Sequence, residues 1–277
     1  MKYKIVADSS ANLYRLEGVD FTPVPLKILV GDREYVDNAQ LDILGMLRDL
    51  HEYKGKTSTS CPNIGDWLAA FGDADVVLGV ALTSGISGGY HAACMAAEEY
   101  MANHPERQVF ILDSLTTGPE LEVLAEKFAD LVLQKTPFDE ICRYMQAYLQ
   151  RTHLMFSLAS LENFARNGRV SPALAKIADL LGIRIVGQAS AGGELQPLHK
   201  CRGEKRAIAQ VWSCMQEAGY AGGKVRIRHT VNREGAEKLA ELIRQAYPEG
   251  DVRIDANRGL CAYYAQEGGI LVGFESA

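Results

Sequence analysis

The sequence predicts an α/β fold in which a largely parallel sheet, flanked by helices, occupies residues 1–155, and a second, smaller α+β domain occupies residues 156–277. Three observations carry this expectation. Short apolar runs alternate with helix-period segments through the first half, as in parallel sheets covered on both faces. Three of the strand-to-helix junctions there are rich in Ser, Thr, Asp and Gly. The second half mixes a hairpin pattern with helices instead.

In order, Tyr3–Ala7 reads as a buried strand stopped by Asp8-Ser9-Ser10, and Val24–Val30 as a second strand closed by Gly31-Asp32. Leu41–Glu52 has helical apolar spacing. Asp75–Leu82 is a nearly continuous apolar run, suited to a strand buried on both faces. An Ala-rich helix over Tyr90–Met101 follows, then a strand over Gln108–Leu112 and a helix to Gln134 with Pro119 in its first turn. Further on, Leu158–Asn167 and Pro172–Leu181 read as helices and Ile183–Val186 as a strand. Gly192-Gly193 then turns the chain into an antiparallel partner over Glu194–His199. Helices over Lys205–Ala218 and Arg233–Tyr247 alternate with strands over Lys224–His229, Val252–Ile254 and Gly269–Phe274.

The 277 residues are 47% hydrophobic and 23% charged, an ordinary globular balance. Lys and Arg total 29 against 35 Asp and Glu, a net charge of -6 that offers no basic footprint for nucleic acid or anionic membrane. No run of 18 apolar residues occurs, and Met1-Lys2-Tyr3-Lys4 leads straight into a strand with no signal-peptide core. A cytoplasmic protein with no stable membrane insertion is expected. The six cysteines form no CxxC pair, and no HExxH or EF-hand pattern appears, so free thiols and no metal site are expected.

In a parallel sheet all strand-to-helix junctions lie at the carboxyl edge, where ligands bind in open α/β folds. The most distinctive junction is Thr83-Ser84-Gly85-Ile86-Ser87-Gly88-Gly89. A helix start leaves backbone N–H groups free and partly positive, the glycines permit close backbone approach, and Ser84 and Ser87 add hydroxyls, so the loop suits an anion. A glycine-rich turn capped by a serine would look the same. The loop also fits G-x-S-x-G, which would make Ser87 the nucleophile of a serine hydrolase, although no HGGG-type oxyanion segment precedes it. A third reading is a phosphate-metabolite-binding protein; GxxxxGK[ST] and GxGxxG are both missing. Thr57-Ser58-Thr59-Ser60 supplies four hydroxyls before a helix, serving either a ligand oxygen or a cap. Arg169 and Arg202 sit in turn contexts from which an arginine pairs with an anionic ligand or satisfies helix ends.

Taken together these segments resemble the DegV family of bacterial fatty-acid-binding proteins. The resemblance rests on Ile5–Leu13 as the opening strand and Asp-Ser-Ser loop, on Lys56–Pro62, on Leu82–Tyr90, on Leu161–Ser171 with its Gly168-Arg169-Val170-Ser171, and on Gly182–Gly203, all in order along nearly the whole chain. It implies a non-catalytic, cofactor-free carrier that buries one long-chain fatty acid between two domains. The carrier would present the acyl carboxylate to a separate ATP-dependent fatty acid kinase. Carried over by position, Thr57, Ser58, Ser84, Ser87 and Gly88 would bind the carboxylate, with Arg169 and Arg202 near the head group or facing the partner. Tyr264 stands where the family often has a histidine, and a phenol donates a hydrogen bond without carrying positive charge at neutral pH.

Overall fold

The computed structural model describes residues 1–178 and 182–277. Its first sheet is fully parallel, in the order β2-β1-β6-β7, formed by β1 (Tyr3–Asp8), β2 (Phe21–Val24), β6 (Val76–Ala81) and β7 (Gln108–Asp113). Every residue of β6 is buried, as its unbroken apolar run requires. Helices α2 (Ile64–Phe71) and α3 (Gly89–Asn103) cover one face, and α4 (Gly118–Leu133) and α5 (Phe138–Tyr148) cover the other.

A small antiparallel sheet stands apart from it, with β3 (Lys27–Val30) between β4 (Arg33–Val36) and β5 (Thr57–Ser60), and α1 (Ile43–Glu52) packed against it. The single strand expected over Val24–Val30 is therefore two strands in two sheets. Pro25 lacks an N–H and interrupts the ladder, and the buried Leu26 carries the chain across. The hydroxyl run Thr57–Ser60 is a strand, not a loop, and it pairs residue for residue with Lys27–Val30.

The third sheet has six strands in the order β10-β9-β8-β13-β11-β12. These are β8 (Thr152–Leu158), β9 (Ile183–Ala189), β10 (Leu195–Arg202), β11 (Val225–His229), β12 (Val252–Ala256) and β13 (Ile270–Glu275). All neighbours are antiparallel except β11 and β12. The domain boundary expected after residue 155 falls inside β8, a strand the sequence reading did not register. Helix α6 begins at Glu162, later than the helix expected from Leu158, and α7 covers Pro172–Ala178; the remainder of the expected Pro172–Leu181 helix lies outside the described residues. Helices α8 (Glu204–Glu217) and α9 (Arg233–Ala246) cover the outer face of the sheet.

Helix α4 is the layer common to both large sheets. One side packs on β1 and β6, the other on β8, β11 and β13, and eleven of its residues are buried. A helix buried on both sides in this way lies between two layers, and its buried charges must be paired. Its acidic residues Glu122 and Glu126 are four apart, hence on one face, and meet Arg228 and Arg226, two apart on one face of β11. Four helical residues rise about 6 Å and two strand residues about 6.6 Å, so the two spacings match.

The last helix, α10 (Gly259–Ala265), sits on the small sheet near the start of the chain. Its cap comes from far away in sequence: the Asp37 carboxylate accepts from the N–H groups of Gly259 and Leu260, both at 2.9 Å.

Candidate functional site

The three junctions at the carboxyl edge of the parallel sheet are tied together. After β1, Asp8 accepts from the N–H of Ser10 at 3.0 Å and from the N–H of Leu82 in the neighbouring junction. Thr83 N–H donates to Thr116 O at 3.0 Å, and Ser84 N–H to Asp113 Oδ1 at 3.1 Å. Asp8 is fully buried, which raises its pKa to about 6 against the opposing effect of its hydrogen bonds from Leu82 and Ser10.

Between this edge and the inner face of the six-stranded sheet runs a narrow, almost wholly apolar slot. It holds about 640 Å3 of atom-free space, the open solvent at its mouth included. Leu82, Thr83 and Ile86 form its wall on the parallel-sheet side, and Leu154, Phe156, Leu158 and Leu271 form the opposite wall. Alternation along β8 puts Leu154, Phe156 and Leu158 on one face, which is why one strand supplies three apolar wall residues. Helix α10 adds Leu260, Cys261 and Tyr264. Burial pushes the Cys261 thiol up to about 12, so it stays neutral and behaves as one more apolar group.

The Gly192-Gly193 turn closes against the Thr83–Gly85 segment. A Cβ on Gly85 would collide with the Gly192 carbonyl oxygen, and one on Gly193 with Thr83 Oγ1. Gly193 also has φ +74°, in the left-handed region.

The expected head-group residues fall beside the slot in distinct roles. Thr57, on β5, is buried, with its Oγ1 2.8 Å from the hydroxyl of Tyr263. That phenol also accepts from Asn167 Nδ2 at 2.8 Å, which leaves its proton for Thr57. Ser58 pairs opposite Leu29 and so turns to the other face of β5 from Thr57 and Thr59. Ser87 Oγ accepts from Gly89 N–H at 3.2 Å, capping the start of α3. Gly88 and Gly89 lie against Cys61, just past the end of β5, so the hydroxyl strand and the glycine-rich loop do meet. Ser84–Ile86 form a turn, and among the described residues no side chain accepts from the backbone N–H groups of Ile86, Ser87 and Gly88.

Tyr264 projects into this junction. Its hydroxyl is 2.8 Å from Thr59 Oγ1, and its ring lies 4.7 Å from that of Phe164. Burial raises its pKa, against the influence of Thr59 and Arg169, and so keeps it a proton donor. Arg169 Nε donates to Ile86 O at 3.2 Å, fixing the guanidinium beside the glycine-rich loop. Arg202 is exposed at the end of β10, opposite Ile183 and at the far end of the hairpin from the Gly192-Gly193 turn; the slot wall does not include it. Thr59 belongs to the hydroxyl run noted in the sequence, whereas Tyr263 and Asn167 were not assigned to the head-group set. Only the alternation of Thr57 and Thr59 along one strand face would have pointed to them. No cluster of three or more His, Cys, Asp or Glu side chains arranged for a metal ion exists among the described residues.

The DegV family model, described as "Uncharacterised protein, DegV family", matches residues 2–275. The chain belongs to the DegV family. A DegV domain-containing protein of Streptococcus pneumoniae is 37% identical over 279 residues, covering 99% of each chain. Among solved structures, a DegV family protein from Eubacterium eligens loaded with heptadecanoic acid is 41% identical, with a TM-score of 0.97 over 99% of this chain and 100% of that one. The Streptococcus pneumoniae Fatty Acid Kinase (Fak) B3 protein loaded with linoleic acid is 36% identical, with a TM-score of 0.98 over 100% of both. The DegV fold thus accounts for the parallel sheet and the six-stranded sheet.

Proposed function

We propose that this DegV protein is a fatty-acid carrier that buries an acyl chain in the slot and presents its carboxylate to an ATP-dependent fatty acid kinase. The observation that carries the reading is the slot itself: a narrow apolar channel that ends beside an anion-ready helix start, in a chain similar to proteins solved with heptadecanoic and linoleic acids. A tail of about fifteen methylenes at ~0.8 kcal/mol each contributes roughly 12 kcal/mol before association costs. Hydrogen bonds to the carboxylate add roughly 1.5–3 kcal/mol each, offset by its desolvation. The tail sets affinity and the polar loops set orientation.

In this reading the carboxylate meets the N–H groups at the start of α3 and the Tyr264 hydroxyl, with Ser84 and Ser87 shaping the loop. Thr57 acts through Tyr263, Ser58 lies on the outer side of the strand, and Arg169 stands at the mouth where a kinase would approach. Arg202 is left for a more distant contact. The division into two lobes runs between residues 151 and 152, ahead of β8.

The loop geometry favours a carrier over a hydrolase. The nucleophile elbow needs a strained turn and a base, whereas Ser87 is outside the left-handed region and its Oγ is engaged by the N–H of Gly89. No helix among the described residues is long and apolar enough to cross a membrane, in keeping with a cytoplasmic carrier. Mass spectrometry of small molecules released on denaturing freshly purified protein tests the proposal. One equivalent of a long-chain fatty acid is expected; phosphorylated metabolites, or no lipid after incubation with fatty acid, would overturn it. Addition of a fatty acid kinase and ATP should then yield acyl phosphate.

A further inference from the structure

The apolar slot does not end in an apolar wall. Leu154, Gln188 and Ala189 line both the slot and a second, polar chamber of about 690 Å3, its opening to solvent included. Into that chamber face Ser114, Ser190 and Glu120. The Glu120 side chain is 4% exposed and its Oε1 accepts from Thr152 Oγ1 at 2.8 Å. Thr116 Oγ1, in a residue 2% exposed on the slot wall, borders the same space with no hydrogen bond. The Thr116 hydroxyl is near enough to Glu120 to favour its charged form but lacks the geometry of a bond. Buried polar atoms without partners are few in folded proteins, and this one lies where the slot gives way to the chamber.

We propose that the slot and chamber together accept an acyl chain carrying a hydroxyl group on its distal half, the hydroxyl being held by Glu120 and Thr116. This rests on the carrier reading above and names the substrate class for the same site. A hydroxyl in a purely apolar channel loses its hydrogen bonds to water and gets none back. At this junction it meets a carboxyl group that burial brings to a pKa of about 7, so that near neutrality both a donating and an accepting form are present. It also meets a threonine hydroxyl that is otherwise unpaired. An unsubstituted tail gains nothing from either group.

The test is competitive displacement of a fluorescent fatty acid by stearate and by hydroxystearates with the hydroxyl at successive positions of the distal half. In the wild-type protein at least one positional isomer should match or exceed stearate, with affinity falling by about tenfold when the hydroxyl is moved off the optimum, as for the loss of about 1.4 kcal/mol. In Glu120→Leu, and in Glu120→Gln should the leucine variant fold poorly, the ratio of hydroxystearate to stearate affinity should fall, with the smaller drop for glutamine. If every isomer binds the wild type tenfold or more weakly than stearate, or if the ratio is the same in the variants, the hydroxyl assignment is overturned while the carrier reading stands. If stearate itself fails to bind, both fall together.

Discussion

Arg228 clasps Glu122 through two parallel hydrogen bonds, Nε to Oε2 at 2.8 Å and Nη2 to Oε1 at 2.6 Å, with both side chains buried between α4 and β11. The pair joins the layer under the parallel sheet to the six-stranded sheet and so fixes the spacing of the two slot walls. Removing one partner strands a buried charge. Arg228→Leu should therefore lower stability by about 3–5 kcal/mol in urea unfolding, and Arg228→Leu combined with Glu122→Leu should recover a large part of that loss.

The Gly192-Gly193 turn predicts a different failure. In Gly193→Ala the added Cβ meets Thr83 Oγ1 and the residue keeps its left-handed φ, so the turn lifts from the Thr83–Gly85 segment. The expected result is a loss of about 1–3 kcal/mol in stability and faster release of bound fatty acid in stopped-flow dissociation. Adding Thr83→Ala removes the collision but not the backbone strain, and should restore part of each.

Glu120 gives a pH signature. Burial raises its pKa from 4.5 to about 7, so the folded protein holds this proton more tightly than the unfolded chain does. The group therefore opposes folding increasingly as pH rises from about 4.5 to 7, by roughly 3 kcal/mol in all. Glu120→Gln removes the titration. Its stability relative to wild type should climb through that interval and level off above it in urea midpoints measured from pH 4.5 to 8. A constant difference would contradict the assignment.

The two adjacent tyrosines separate by position. Tyr263→Phe takes a partner from both Thr57 and Asn167 in the interior and should cost about 1–3 kcal/mol in stability. Tyr264→Phe loses one bond to Thr59 and should cost about 1 kcal/mol. Fatty-acid affinity should fall more in Tyr264→Phe, because only that phenol faces the slot.

Ser87→Ala should leave fatty acid bound, since the tail supplies most of the affinity, while the rate of acyl phosphate formation with a kinase falls. Complete disappearance of copurifying lipid in this variant would show that the loop, not the channel, dominates binding.

Much of the parallel layer was legible in the sequence because β1, β6 and β7 are apolar runs ended by polar junctions, a pattern set by local burial alone. Strand β8 was not: Thr152 and His153 open it, and Leu158 was read as the start of the next helix, whereas the strand owes its place to β13 and β9 on either side. Helix α10 was missed for a similar reason, its cap being Asp37, more than two hundred positions earlier. The glycine-rich loop and Arg169 were legible through their motifs. The bonds of Thr57 and Thr59 to Tyr263 and Tyr264 were not, because an edge strand of four hydroxyl residues reads as a turn until its partner β3 is known. Nor did spacing hint that Glu120, in the first turn of an apolar helix, borders a chamber.

The last strand in chain order, β13, lies in the middle of the six-stranded sheet, between β8 and β11. A nascent chain that has not yet extruded residue 270 from the ribosome has no centre to that sheet and so no second wall to shelter lipid. On the carrier reading, loading therefore waits for β13, and a product truncated before it lacks the wall that would shelter an acyl chain.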